Sequence, residues 1–247
     1  MIDMRCKFLD WDSTFFGVRI AQIEAQHLTD ESVEQVFEWC REQEIRCLYF
    51  LCTADDDQSV MLAEQHGFHL VDVRIEFSYR VPASGERASP IGSHIVRLFQ
   101  ESDLAKLQQI VKGAYETTRF YYDHNFSREQ VAALYQEWIT KSCRGFAAAV
   151  LVTEHKGEAT GFVTCHLDTA RTGRIGLLGV GVDVRGTGLG RLLLQTAQGY
   201  FRGQGVTEVS VVTQGRNLAA QRLYQANGFR ASKLQLWYHK WFEVDPA

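Results

Sequence analysis

Proline is scarce in this chain, three residues in 247, which leaves little room for disordered linkers. Long apolar runs are missing as well. The longest, Phe146–Val152, falls far short of the roughly 20 residues that cross a bilayer. The first twelve residues, Met1 to Asp12, contain no apolar stretch of the kind a secretory leader requires. Cysteine is present but without metal-site spacing. Cys6, Cys40, Cys47, Cys52, Cys143 and Cys165 form no C-x-x-C pair and no Cys/His set that fits zinc. The formal net charge is −4, so the basic excess that a phosphate backbone demands is absent too. These absences predict a soluble cytoplasmic protein with reduced, mostly buried thiols, no metal, no membrane segment and no nucleic-acid partner. They leave the oligomeric state open, a homodimer included.

What is present is ordinary for a globular protein: 45% hydrophobic and 23% charged residues, enough for one large domain or two of roughly 100–150 residues. The strongest boundary signal is Pro82 to Pro90, two prolines flanking Gly85 and small polar residues. It divides the chain into units 1–85 and 92–247. Beyond it, His94–Phe99 alternates as a strand, and Ser102–Tyr115 carries Leu104, Leu107, Ile110 and Val111 at helical spacing. Ser127 with Gln130 forms a capping box for a helix to about Lys141. Strands are expected over 146–153, 159–168 and 174–182, then a helix over 188–202. A strand over 207–213, a helix over 217–226 and a last strand through Trp241 complete the series. The order is β-α-α-β-β-β-α-β-α-β, an α/β chain with a mixed sheet and helices on both faces.

The first half holds a faint copy of the end of the second. A shift of 161 residues superposes Gly67-Phe68 on Gly228-Phe229, a strand at 48–52 on 209–213, a helix at 58–65 on 219–226 and a strand at 73–79 on 234–240. Under the same shift Tyr224 falls on Ala63 and Asn217 on Asp56, and residues 1–50 have no glycine loop. The N-terminal half is therefore expected to be a degenerate copy that completes the sheet and helps wall a site built elsewhere.

That site is expected at Gly179 to Arg191, a glycine-rich turn between a strand and an amphipathic helix. A dinucleotide fingerprint would need a small residue where Arg191 stands, and a P-loop would need Lys-Ser/Thr after Gly190. Both readings fail. Arg185-x-x-Gly188-x-Gly190 opening a helix fits instead. Its glycines let several N–H groups converge with no Cβ in the way, and the helix N-terminus adds positive potential, which suits a diphosphate.

Here the sequence resembles the GCN5-related N-acetyltransferase (GNAT) superfamily. Arg185-Gly-Thr-Gly188-Leu-Gly190 is similar to its acetyl-CoA pyrophosphate loop, Q/R-x-x-G-x-G/A. Asn217 to Phe229 is similar to its second signature, N-x-x-A-x-x-L-Y-x-x-x-G-F. The resemblance covers about residues 92–247 and implies the GNAT fold, with acetyl-CoA as co-substrate. By it, Val180, Val182, Arg185, Gly186, Thr187, Gly188, Leu189, Gly190, Arg191 and Asn217 would contact that co-substrate. The pantetheine arm would lie where the strand at Val182 splays from the strand at 209–213. Tyr224 would be the general acid toward the departing thiolate, and a backbone N–H near Val180–Val182 would meet the oxyanion.

Trp11 to Gly17, Arg119-Phe120, Arg174 to Leu178 and Asn217 with Tyr224 together resemble a narrower bacterial group within that superfamily. Its members acetylate the 4-amino group of a TDP-linked 4-amino-4,6-dideoxygalactose for surface-polysaccharide assembly, and carry a truncated N-terminal half of the same fold. This chain is fuller over 171–190 than that group, which leaves the acceptor, and TDP against UDP, open. On this reading Phe15, Phe16, Arg119, Tyr121, Tyr122 and His166 would line the acceptor site, with Arg119 toward a phosphate. No general base stands out; His166 with Asp168, and His124, are the candidates. Two competing functions are a GNAT acting on another small amine, amino acid, polyamine or protein N-terminus, and a non-catalytic CoA-binding regulator. Tyr224 beside an intact glycine loop argues against the regulator.

Overall fold

A computed structural model describes residues 6–85 and 92–243; positions 86–90 of the expected linker lie outside it. The first half builds β1 (Cys6–Phe8), α1 (Asp10–Phe16), β2 (Ile20–Ile23), α2 (Asp30–Glu42), β3 (Cys47–Thr53), α3 (Asp57–Gln65) and β4 (His69–Arg80). The second builds β5 (Ile95–Leu98), α4 (Leu104–Lys112), α5 (Arg119–Tyr122), α6 (Arg128–Lys141), β6 (Ala149–His155), β7 (Glu158–Leu167) and β8 (Thr172–Val180). It ends with α7 (Leu189–Gly203), β9 (Glu208–Gln214), α8 (Leu218–Ala226) and β10 (Arg230–Trp241). Among the described residues no helix is long and apolar enough to cross a membrane.

All ten strands join one mixed sheet in the order β1-β2-β3-β10-β4-β9-β8-β7-β6-β5. The two halves exchange strands: β10 lies antiparallel between β3 and β4, and β4 lies antiparallel between β10 and β9. Strands β2 and β3 pair in parallel, as do β8 and β9. From β2 to β8 the order therefore reads alike from either end. The 161-residue offset carries β3 onto β9, α3 onto α8 and β4 onto β10, end for end.

Period-two alternation sorts the side chains to two covered faces. Along β10, Tyr238 joins the cluster under α2 and α3, while Trp237 and Trp241 pack against the cluster under α4 and α6. Residues Val209 and Val211 of β9 join Leu193, Leu194, Ala197 and Phe201 of α7. Helices α2, α3, α6 and α8 each open on a side chain that accepts from the third backbone N–H: Thr29, Asp56, Ser127 and Asn217. Helix α7 opens on Gly188 with no such cap.

Three elements differ from expectation. The helix expected to reach Tyr115 stops at Lys112 before Gly113. The strand expected from Phe146 begins at Ala149, because Gly145, at φ 100°, wraps residues 142–146 into one more turn after α6. The strand expected to reach Val182 ends at Val180, where residues 182–184 turn away as a short 3-10 segment.

Candidate active site

Strands β8 and β9 separate partway along their length. Their register runs from Thr172↔Glu208 to Ile175↔Val211 and goes no further, although β8 continues to Val180 and β9 to Gln214. The separation begins at a bulge. Between the pairs Cys165↔Ile175 and Val163↔Leu178, β8 has two residues, Gly176 and Leu177, opposite one on β7. The N–H of Leu177 loses its strand partner there and donates to Thr164 Oγ1, 2.8 Å away. Glycine is required at 176, since a Cβ would stand 2.5 Å from His166 Nε2.

A cleft of about 910 Å³ occupies the gap. Its walls include Leu178 and Val180 of β8, Val212 and Gln214 of β9, residues 113–117, and the loop from Arg185 into α7. Tyr115 Oη donates to the Leu178 carbonyl (3.2 Å) and Arg185 Nε to the Val180 carbonyl (3.4 Å), whereas Gly181 N–H turns the other way, to Thr160 on the β7 side. A strand residue sends its N–H and C=O to the same side, so the N–H groups of Leu178 and Val180 also face the gap. Each is a backbone donor on the cleft side of β8, the kind of group that suits a developing oxyanion.

At one end of the cleft the chain turns through Gly186 (φ 78°) and Gly188 (φ 93°), a left-handed conformation that favours glycine. The next intrahelical bond is Leu192 N–H to Gly188 O, and none of the backbone N–H groups from Gly186 to Arg191 hydrogen-bonds to the described chain. Six consecutive donors at an uncapped helix N-terminus form an anion receptor. Thr187 turns its hydroxyl back to Val184 O, and Leu189 is buried as the anchor of the turn. Gly190 fits close to α8, where a Cβ would come 3.3 Å from Leu223. Arg185 also reaches across to the Gly113 carbonyl, 3.3 Å. Asn217 lines the cleft with its side-chain oxygen on Ala220 N–H as the α8 cap. Val182 is 66% exposed and stands outside the walls, as does Thr187.

Tyr224, on α8, is 5% exposed and forms part of the wall. Its ring packs near Phe77 and Phe229, and its hydroxyl has no hydrogen-bond partner among the described residues. Burial pushes its pKa well above that of an ordinary phenol. The group stays protonated across any working pH, the state required of an acid.

The expected acceptor residues divide. Phe16 is buried against Phe120 and Phe126, and Phe15 stacks on Trp11, so both brace α5 from behind. Tyr121 carries Arg128 over its ring, and the 40%-exposed Tyr122 carries Arg216. Arg119 is half-buried among the rings of Tyr49, Phe120 and Trp237, 4.1–4.2 Å from their centres. His166 is buried under Gly176, behind the cleft rather than in its wall. Burial, and then Arg174, hold its pKa below the usual histidine value.

Sequence reasoning missed Asp72. It shares a face of β4 with Arg74 and Glu76, opposite Trp237 of β10, and only 4% of it is exposed. Its Oδ1 has no hydrogen bond; the nearest cation, Arg216 Nη1, is 3.6 Å away. Burial, only partly offset by Arg216, raises its pKa to about 7. The signal was in the pattern: Asp72, Arg74 and Glu76 alternate with Val71, Val73 and Ile75 on a strand at the middle of a sheet covered on both faces. Polar residues there require a wet opening. Asp72 is not itself in the wall of the cleft. Tyr115 and Tyr135 are wall residues that the sequence reading did not single out; their rings stack 4.3 Å apart at 3°. Cys47, Asp123 and His239 bring donor atoms within 4.8 Å of one another, all three buried. Both His239 nitrogens are engaged, one with Arg119 and the other with Asp123.

Residues 111–229 match the acetyltransferase (GNAT) family. Over 238 residues the chain is 26% identical to the dTDP-fucosamine acetyltransferase of Escherichia coli O6:H1, covering 94% of this chain and 96% of that one. It is also 26% identical over 149 residues to the spore coat polysaccharide biosynthesis protein SpsD of Bacillus subtilis strain 168, 58% of this chain and 49% of that one. Among solved structures, a GCN5-related N-acetyltransferase from Sphaerobacter thermophilus superposes with a TM-score of 0.68 at 17% identity, over 98% of this chain and 78% of that one. The shared fold is therefore that of GNAT enzymes.

Proposed function

For this chain, an acetyltransferase whose residues 111–229 form a GNAT domain, we propose that acetyl-CoA is the donor and the amine of a nucleotide-linked amino sugar is the acceptor, with TDP-4-amino-4,6-dideoxygalactose the leading candidate. The observation that carries the donor assignment is the run of six unsatisfied N–H groups from Gly186 to Arg191 at the mouth of the cleft. Those amides would hold the diphosphate, and Asn217 with Val180 would flank the arm. The acceptor assignment is supported by Arg119 over Trp237 and Arg216 over Tyr122, cations and rings that suit phosphate and a planar base. It is also supported by likeness to the dTDP-fucosamine enzyme along nearly the whole chain. Nucleotide sugars are cytoplasmic, and the six free thiols agree with that compartment.

In this reading the amine attacks the thioester carbonyl, forming the C–N bond as the C–S bond breaks. A backbone N–H of β8, at Leu178 or Val180, stabilises the oxyanion, Tyr224 gives its proton to sulfur, and Asp72 takes the proton the amine releases. To test the acceptor, thiol release is followed with acetyl-CoA and a panel of TDP- and UDP-linked amino sugars, amino acids, polyamines and peptide N-termini. The TDP-linked 4-amino sugar should exceed the simple amines in kcat/KM by about 100-fold, the scale of one or two charge-assisted contacts. A peptide or polyamine as best substrate would overturn the assignment.

Asp72→Asn tests the base. With the carboxyl near 7, kcat/KM of the parent should rise as pH passes through neutrality. In the variant that inflection should vanish and the rate at pH 8 fall by about 10²-fold. Stability should move the other way. The folded chain holds this proton more tightly than the unfolded one, so the parent loses stability as pH climbs from about 4 to 7. Asp72→Asn should therefore melt above the parent at pH 8 and not at pH 4. An unchanged pH–rate profile would remove Asp72 from the mechanism.

A further inference from the structure

Arg119 is a cation with no carboxylate partner among the described residues. Arg97, by contrast, pairs with Asp103 and Glu154, and Arg174 pairs with Asp168. The one hydrogen bond of Arg119 runs from Nη1 to His239 Nε2, 2.8 Å. A guanidinium cannot accept, so Nε2 must be unprotonated and the ring proton must sit on Nδ1. That proton is donated to Asp123 Oδ2 at 2.6 Å. Asp123 also accepts from Trp241 Nε1 (2.8 Å), Asn125 N (3.0 Å) and Asn125 Nδ2 (2.9 Å). Burial would raise this carboxyl, but the bonds from His239 and Trp241 outweigh it and hold the group ionised. His239 and Asp123 are themselves 1% and 4% exposed, and neither is in the wall of the cleft.

The result is a directed series, carboxylate to neutral imidazole to guanidinium, with its negative end buried and its positive end half-exposed. The rings of Tyr49, Phe120 and Trp237 restrict Arg119 from the sides, and His239 fixes its rotation. The Tyr49 hydroxyl beside it is fully buried with no hydrogen-bond partner, a second polar atom awaiting one. A brace for α5 alone would place a carboxylate directly on the arginine, as at Arg97. A neutral imidazole instead holds the guanidinium in position without cancelling its charge, leaving four N–H donors for a ligand anion.

We infer that His239 and Asp123 are positioning residues that aim the Arg119 guanidinium at a phosphate of the acceptor. This rests on the nucleotide-sugar reading above. The test compares His239→Phe, Asp123→Asn and Arg119→Met in the full chain. Acceptor KM, acetyl-CoA KM and kcat are measured, and calorimetry follows binding of free TDP and inorganic pyrophosphate, probes that need no amine. His239→Phe should raise acceptor KM and TDP Kd about tenfold, the weight of roughly one charge-assisted hydrogen bond. Acetyl-CoA KM, and kcat at saturating acceptor, should stay within about twofold. His239→Gln, which keeps an acceptor toward Arg119, should recover most of the TDP affinity, and His239→Phe should add nothing to Arg119→Met. Asp123→Asn gives the same reading should His239→Phe not fold. Equal losses for both substrates, or additive losses with Arg119→Met, would make the network structural and overturn the inference. Absence of TDP and pyrophosphate binding to the parent chain would overturn it too. TDP binding that His239→Phe weakens would sustain it even if no amino sugar were acetylated, an outcome that sinks only the acceptor assignment.

Discussion

Tyr224→Phe should lower kcat by about 10²–10⁴ and leave acetyl-CoA affinity within about twofold. The hydroxyl is bound to no described residue, so its removal leaves no orphaned partner and opens a space no larger than one oxygen. The ring, held near Phe77 and Phe229, keeps its packing. A fold defect is thus not expected, and melting should be nearly unchanged. The rate falls because the departing thiolate must then take a proton from water. Burial holds the phenol well above its ordinary pKa, so no loss of activity from its ionisation should appear in the alkaline limb. Pre-steady-state measurement of thiol release separates this chemical step from product release. An unaltered single-turnover rate would remove Tyr224 as the acid.

How far the chain could be read beforehand depended on where the information lay. Local chemistry was legible. Ser127 with Gln130 marked the start of α6, and the periodic leucines of α7 marked a helix with one buried face. The glycines at 186 and 188 marked a turn that needs positive φ. The offset between the halves was legible for the same reason, because Gly67 and Gly228 close their helices alike. What escaped was set by contacts between distant segments. The burial of Asp72 depends on β4 lying beside β9, a pairing of residues about 140 positions apart. Phe15 and Phe16 were candidate acceptor residues, although adjacent phenylalanines are more often core, and Phe16 proves to pack against Phe120 of α5. His166 lies near the end of β7 beside the exposed Leu167, yet the β8 bulge closes over it. The exchange of β4 and β10 ties the N-terminal half into the same sheet as β9, which is what buries Asp72 of β4 and sets Tyr49 of β3 beside β10.

Gly188→Val should abolish useful acetyl-CoA binding, raising Kd by at least about 100-fold. Gly188 has φ 93°, where a β-branched residue is strained by roughly 1–3 kcal/mol. The strain is most cheaply relieved by rotating the peptide units around residue 188. That rotation redirects the amides of residues 187–189, which make no backbone hydrogen bond in the parent turn. Each charge-assisted bond lost costs about 1.5–3 kcal/mol, so losing two accounts for the 100-fold effect or more. The body of α7 should survive, since Leu192, Leu193 and Ala197 remain buried, and far-UV circular dichroism should be unchanged. Calorimetric titration with CoA measures the loss directly. Titration with dephospho-CoA, which keeps the diphosphate, should show the same deficit, whereas TDP should bind the variant as it binds the parent. Retained affinity for CoA in a folded Gly188→Val chain would mean that these amides do not hold the diphosphate, and the donor assignment would go with them.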